Sequence, residues 1–345
     1  MTRDDLTERE RQVIEAVIHA FVETAEPAGS RTIAKRYNLG VSAATIRNTM
    51  SDLEEKGYLY HPHTSAGRVP TDQAYRVYVD SLMEPTVPTR TETDQIRREL
   101  HHGASVIESL LEKAAEVLGV LTQELGVGVA PSFDNALLER LELVQASTER
   151  LLMVLVLSGG AARTIFLEVS NELPPAALAS VQLVLNERLS GLTLREIRTT
   201  LRERLRDVSA EREAGELLNI FVEEADQLFE IGVSEESALV LGSTQMLVDQ
   251  PEFHSSEQMR NLMELTEQRE VLRQALQARR APGISVTIGG ENLEPKLAKL
   301  TIITSTYRCG PFAGMIGVIG PTRMPYRKVV TMVEHTSRLL GDLVK

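Results

Sequence analysis

A chain of 345 residues has room for two or three domains, yet no stretch approaches the roughly 18 consecutive apolar residues of a membrane span. A formal net charge of −12 argues against a general nucleic-acid coat, and a single cysteine, Cys309, excludes an intramolecular disulfide and fits a reducing cytoplasm. The charged opening segment, MTRDDLTERERQ, does not have the pattern of a signal peptide.

The distribution of charge is more informative than its sum. No acidic residue occurs from Pro27 to Ser51, where Arg31, Lys35, Arg36 and Arg47 lie. A local cationic window on an acidic chain suits a focused DNA contact better than a wrapped one.

Helical periodicity begins at Thr7 and runs to Thr24, with Ile14, Val17, Ile18 and Phe21 on one face. Thr7 followed by Glu10 reads as a capping box, and Pro27 and Gly29 are expected to end the helix. Ser30 is expected to cap a short helix from Arg31 to Tyr37, and Asn38-Leu39-Gly40 makes a turn. Ser42 then caps a helix whose Ile46, Met50 and Leu53 form an apolar stripe, closed by Gly57 as a left-handed C-cap. Its opposite face carries Ala44, Thr45, Arg47 and Asn48. Arg forks onto guanine, Asn pairs with adenine, and Ala or a Thr methyl touches a thymine methyl. Helix, turn, helix is the arrangement that places the second helix in a major groove.

Tyr58-Leu59-Tyr60-His61 and Arg68-Val69-Pro70 read as the two strands of a hairpin directly after that helix, which makes it a wing. The tip residues His63, Thr64, Ser65 and Arg68 suit phosphate or minor-groove contact, and Ser30, Arg31 and Ser42 complete the phosphate-holding set. The bland alternative is a winged-helix fold used for protein contact. A helix from Asp72 to Leu82, with Tyr75, Tyr78, Val79 and Leu82 on one face, is expected to pack under the wing. Residues 84–92, polar and with two prolines, form a linker.

A long helical stretch follows from about Thr93 to Leu125, with a possible break near Gly103. The spacing of Leu100, Ile107, Leu110, Ala114, Val117 and Leu121 fits a coiled-coil seam, but better fits a helix laid on a sheet. Strands are expected at Gly126–Ala130, Leu141–Gln145, Leu151–Leu157 and Thr164–Val169, the last three as antiparallel hairpins. Helices over Ala176–Leu189, Leu194–Leu205 and Glu211–Phe229 complete an inserted α+β subdomain. The first sheet resumes at Ala238–Gly242, followed by a helix over Glu257–Ala278, strands at Ile284–Ile288, Lys299–Tyr307 and Gly314–Ile319, and a last helix from Pro325 to Val344.

Gly314-x-x-Gly317-x-x-Gly320 lacks both the strand-to-helix context and the Gly-Lys-Ser/Thr of a phosphate loop, so a strand with a tight turn explains it better. Asn292 and Thr322 either cap turns or line a small-molecule pocket. No catalytic residue set, metal-ligand spacing or cofactor motif stands out.

Several stretches taken together resemble one family. Ser42-Ala-Ala-Thr-Ile-Arg-Asn, Asp52-Leu-Glu-Glu, Gly57-Tyr-Leu, Pro62-His-Thr-Ser-Ala-Gly-Arg-Val-Pro-Thr and Tyr75-Arg-x-Tyr-Val-Asp80 are similar to HrcA, the bacterial heat-inducible transcription repressor. So are Gln250-Pro-Glu-Phe, Ile288-Gly-x-Glu-Asn and Gly317-Val-Ile-Gly-Pro-Thr-Arg-Met-x-Tyr326. The resemblance implies a multidomain α+β chain. Residues 1–83 would be a winged helix-turn-helix, 93–134 with 233–345 a GAF-like antiparallel-sheet domain, and 135–232 an inserted dimerisation subdomain. It further implies a homodimer that represses chaperone operons through an inverted repeat of double-stranded DNA, the CIRCE operator, with a GroEL-type chaperonin maintaining the active form. The alternative is a winged-helix regulator controlled by a small molecule in the GAF-like domain.

Overall fold

The computed structural model describes residues 6–62, 67–84, 86–101, 107–131, 133–160, 162–169, 173–206, 212–223, 239–277, 282–310 and 312–344. The chain forms two compact units. One comprises Met1–Gly128, Val240–Thr306 and Met315–Leu339; the other comprises Val129–Leu239, Tyr307–Gly314 and Leu340–Lys345.

The first unit begins with α1 (Glu8–Thr24), α2 (Ser30–Arg36) and α3 (Ala43–Glu55), then a two-stranded hairpin of β1 (Leu59–Tyr60) and β2 (Val69–Pro70), then α4 (Asp72–Val77). The Thr7–Glu10 capping box opens α1 as expected. The helix stops at Ala25, a left-handed residue at φ 55°, before Pro27 and Gly29 are reached. Glu10 is buried and also holds Lys56 at 2.7 Å, tying the start of α1 to the end of α3. Burial pushes its carboxyl up, but the bonds from Lys56 and Thr7 outweigh this and hold it below the usual range. Val13, Ile14, Val17, Ile33, Ile46, Met50, Leu53 and Leu59 are all buried and make the apolar centre of this three-helix group.

A helical span over Asp72–Leu82 is present, but its second half, Tyr78–Leu82, is a π turn. After α5 (Arg90–His101) and α6 (Ile107–Thr122) comes a five-stranded sheet in the order β7-β3-β10-β9-β8, comprising β3 (Leu125–Val129), β7 (Leu239–Leu241), β8 (Ile284–Ile288), β9 (Leu300–Cys309) and β10 (Phe312–Pro321). The α6 helix lies directly on β3, which supports the sheet-packing reading of its apolar spacing. A Cβ on Gly126 would sit 1.8 Å from the Ala115 carbonyl oxygen, and one on Gly128 would strike the Leu111 side chain. Only glycine permits so close an approach. The last helix, α13 (Tyr326–Leu343), packs on β9 through Ser337, which donates to the Thr306 carbonyl and accepts from Ser305. Between β7 and β8 stand α10 (Gln245–Val248), α11 (Ser256–Glu267) and α12 (Arg269–Gln277). The single helix expected over 257–278 is therefore two, broken where Gln268 leaves helical geometry at ψ 62°.

The second unit holds an antiparallel sheet, β4 (Leu138–Ser147), β5 (Arg150–Leu157) and β6 (Ala162–Glu168), with α7 (Pro175–Leu189), α8 (Leu194–Arg204) and α9 (Arg212–Glu223). Strict alternation buries Leu151, Met153, Leu155 and Leu157 against Val181, Leu185, Ile197, Leu201 and Phe221. The backbone of β4 is engaged from the side by α7. The Asn186 amide both accepts from Leu141 N–H (2.8 Å) and donates to Leu141 O (2.7 Å), while Gln182 accepts from Leu143 N–H at 2.9 Å. These side chains supply the partners that another strand would otherwise supply.

Candidate nucleic-acid interface

Ser42 caps α3 by accepting from Thr45 N–H at 3.2 Å, and its hydroxyl also meets the Thr45 hydroxyl at 3.0 Å. That cap orients the first turn of α3. Ile46, Met50 and Leu53 point inward, so Ala44, Arg47 and Asn48 stand exposed and Thr45 half-buried beside them. Gly57 takes the left-handed conformation at φ 81° and releases the chain into β1. Arg31 and Lys35 are exposed on α2, and among the described residues neither they nor Arg47 makes an ion pair. Among the described residues, α2 and α3 thus carry three exposed cations without ion pairs, with the Asn48 amide exposed beside Arg47 in sequence.

Other expected contacts fall differently. Ser30 is the first residue of α2, and Gly29 holds the cap position without a side-chain bond, so Ser30 is not the cap. Its hydroxyl is left for another acceptor. Arg68 lies at the base of the hairpin, bonded through its backbone to Ala28 (2.8 and 2.9 Å) and through its guanidinium to Glu54 at 2.7 Å, with 18% of the side chain exposed. Any phosphate role for it has to be shared with that ion pair. Arg36 is paired with Glu23. His63, Thr64 and Ser65 lie outside the described residues.

A second feature escaped the sequence reading. Tyr75 of α4 and Tyr78, the first residue of the π turn, pack against Tyr326 of α13 at ring-centre distances of 5.4 and 6.5 Å. Arg323 donates twice to Glu252 (2.5 and 2.9 Å) and once to the Val22 carbonyl in the last turn of α1 (2.8 Å). Arg76 pairs with Glu291 and donates to the Val286 carbonyl at 2.7 Å, while Asp72 accepts from Gly290 N–H at 2.8 Å. Burial raises the Glu291 carboxyl, but Arg76 and the Ile288 N–H prevail and hold it below the usual carboxylate range. Behind Arg323 sits Glu124, only 2% exposed, whose carboxyl burial pushes far up despite the Gln250 amide at 3.2 Å. The N-terminal helices are thereby bolted to the sheet layer at three charged points, Arg323, Arg76 and Asp72, around an aromatic centre.

The comparisons agree with this architecture. The family description "HrcA protein C terminal domain" matches residues 108–330. Curated relatives called heat-inducible transcription repressor HrcA include one from Chlorobium phaeobacteroides (strain BS1), 42% identical over 98% of this chain and 98% of its own. Another, from Geobacter sulfurreducens, is 36% identical over 99% of each. The chain belongs to the HrcA family. A solved structure described only as that of a hypothetical protein shares the fold, with a TM-score of 0.66 and 22% identity over 99% of both chains. The HrcA relatives are named as repressors, so the chain belongs to a family of transcription regulators and not of enzymes.

Within that HrcA frame, the stretches that carry the likeness outside the helix-turn-helix have a common place. Tyr75-Arg76-x-Tyr78, Gln250-Pro-Glu252-Phe, Ile288-Gly-Gly-Glu291-Asn and Thr322-Arg323-Met-x-Tyr326 all meet at the bolted seam. Asn292 serves a turn: its amide donates to the carbonyls of Gly289, Leu297 and Leu300 at 2.8–3.0 Å. The Thr322 carbonyl accepts from Tyr326. The Gly314–Gly320 repeat lies inside β10, where a Cβ at Gly317 would strike the Ile303 carbonyl at 2.2 Å and one at Gly320 the Glu124 carboxylate at 1.8 Å. Close strand packing, not phosphate binding, requires those glycines. Cys309 is half-buried, and burial pushes its thiol up against the opposing Arg163 charge.

Proposed function

We propose that the chain is a cytoplasmic winged-helix repressor that binds the inverted-repeat CIRCE operator of heat-shock (chaperone) operons as a homodimer and leaves it under heat stress. The observation that carries this reading is the α3 face: Ala44, Arg47 and Asn48 exposed on a capped helix, with Arg31 and Lys35 on α2 exposed and without an ion pair among the described residues. Arg47 and Asn48 read base edges with Ala44 and Thr45. Ser30, Arg31 and Ser42 hold phosphates, with Arg68, His63, Thr64 and Ser65 contributing from the wing. The HrcA relatives carry the repressor name.

In this reading, the five-stranded sheet with α6 and α13 is the GAF-like domain and residues 135–232 supply the two-fold contact. Support for that contact comes from the outward face of β4-β5-β6, where Val144, Leu152 and Phe166 align across the three strands and Phe166 is 65% exposed. A palindromic site asks for a symmetric protein. A GroEL-type chaperonin keeps the repressor in its active form. The test is a gel shift on an inverted repeat with scrambled competitor. Retention that scrambled DNA abolishes equally would defeat the proposal.

A further inference from the structure

A cleft of about 400 Å³ opens at the seam, walled by α1 and the π turn on one side and by the first turns of α13 on the other. Its size lies within the range of small-molecule sites. The apolar walls are Ile18 and Val22 of α1 with Met324 and Met332 around the start of α13. The polar groups are unevenly satisfied. Of the acids at the rim, Glu23 is taken by Arg36, and one Glu92 oxygen accepts both the Thr89 N–H (2.8 Å) and the Thr89 hydroxyl (2.7 Å). The cations are less fully engaged: Lys328 is exposed, feels the Glu92 carboxylate and makes no ion pair among the described residues, and Arg327 bonds the Tyr78 side chain but leaves its buried Nε without a hydrogen-bond partner among them. Both sit in the first turn of an 18-residue helix that has no acid there. His19 donates no countercharge or extra cation, because burial keeps its ring neutral beside the Tyr78 hydroxyl at 3.1 Å.

We propose that this cleft binds an organic anion, a single carboxylate or phosphate carried on a short apolar body. The headgroup meets Arg327 and Lys328 at the α13 N-terminus, where the helix dipole favours negative charge. The apolar body lies against Ile18 and Val22. Such a ligand touches α1 and α13 at once, so it stabilises one setting of the helix-turn-helix on the sheet. By linkage, any change it makes in operator affinity is matched by an equal effect of operator on ligand affinity. That regulatory step rests on the repressor reading; the binding step does not.

The experiment is calorimetric titration of the full chain with hexanoate, hexyl phosphate, inorganic phosphate and hexanol. Saturable binding at one site per chain is expected for hexanoate or hexyl phosphate, and whichever is tighter identifies the headgroup. Inorganic phosphate and hexanol are expected to give none. Arg327→Gln with Lys328→Gln should weaken binding by at least about tenfold. Thr331→Met, which fills the cleft from α13, should abolish it while leaving both cations in place, so a folding defect in one variant leaves the other decisive. No saturable binding by either amphiphile at millimolar concentration, or binding that survives both variants, overturns the proposal. Binding that is intact in a chain unable to shift the operator would instead count against the repressor reading alone.

Discussion

Arg323→Met removes three hydrogen bonds, one of which ties α1 to the sheet layer, while keeping a long unbranched side chain. Two of those bonds form a bidentate pair with Glu252, and the third caps the Val22 carbonyl at the end of α1. The Arg323 and Glu252 side chains are 14% and 29% exposed, so water replaces little of what is lost on the arginine side and more on the glutamate side. Breaking a fully buried pair costs about 3–5 kcal/mol, and charge-assisted bonds about 1.5–3 kcal/mol each without simple additivity. An intermediate loss of about 2–3 kcal/mol is expected in urea unfolding. Hydrogen exchange should speed up in the last turn of α1, where Val22 lies. Adding Glu252→Leu should recover part of the loss, because the stranded carboxylate is then gone. A loss below about 0.5 kcal/mol, or a full second penalty from Glu252→Leu, would refute the bolt.

Further outcomes follow from other residues. Phe166→Glu places a charge at the β6 end of the outward apolar row of β4-β5-β6, and sedimentation should show the dissociation constant of the proposed homodimer raised by more than about tenfold; an unchanged constant would remove that face from the proposed interface. Gly67→Ala drives a Cβ to 2.4 Å from the Ala28 backbone and should cost about 1–3 kcal/mol by opening the Ala28–Arg68 bridge, read as lower thermal stability. Glu124 has a folded pKa raised above its unfolded value, so its contribution is fully present below the unfolded pKa of about 4.3 and is lost as pH rises through the folded one. Glu124→Gln should therefore gain on the wild type progressively from about pH 5 upward in urea melts, by no more than about 1.4 kcal/mol per pH unit. A parallel pair of pH profiles would contradict this.

Much of the fold is legible in the sequence because local chemistry decides it. The Thr7–Glu10 box, the Ser42 cap, Gly57 and the alternation of Leu151 to Leu157 each name their own structure. Ala25 is different: its left-handed conformation ends α1 without glycine, and no composition signal marks it. The break at Gln268 lies in a run that is periodic on both sides. The seam is invisible for a more basic reason. Arg76 and Glu291 are 215 positions apart, and Arg323 lies 301 from Val22, so no window of sequence contains both partners. Polar groups of the loops at 288–292 and 320–326 are spent on turn bonds and on ion pairs across the seam. Of the residues proposed to read DNA, the exposed face of α3 was readable from spacing alone, whereas the pairing of Arg68 with Glu54 needed the hairpin to be folded.

The most direct test of the account measures Arg47→Ala by fluorescence anisotropy on an inverted-repeat operator and on random DNA at the same salt concentration. Arg47 is exposed on α3 and makes no ion pair among the described residues. Loss of a base-reading fork should cost about 1–3 kcal/mol on the operator and almost nothing on random DNA. Equal losses on both sequences would make Arg47 a phosphate contact, and no loss on either would remove α3 from the groove.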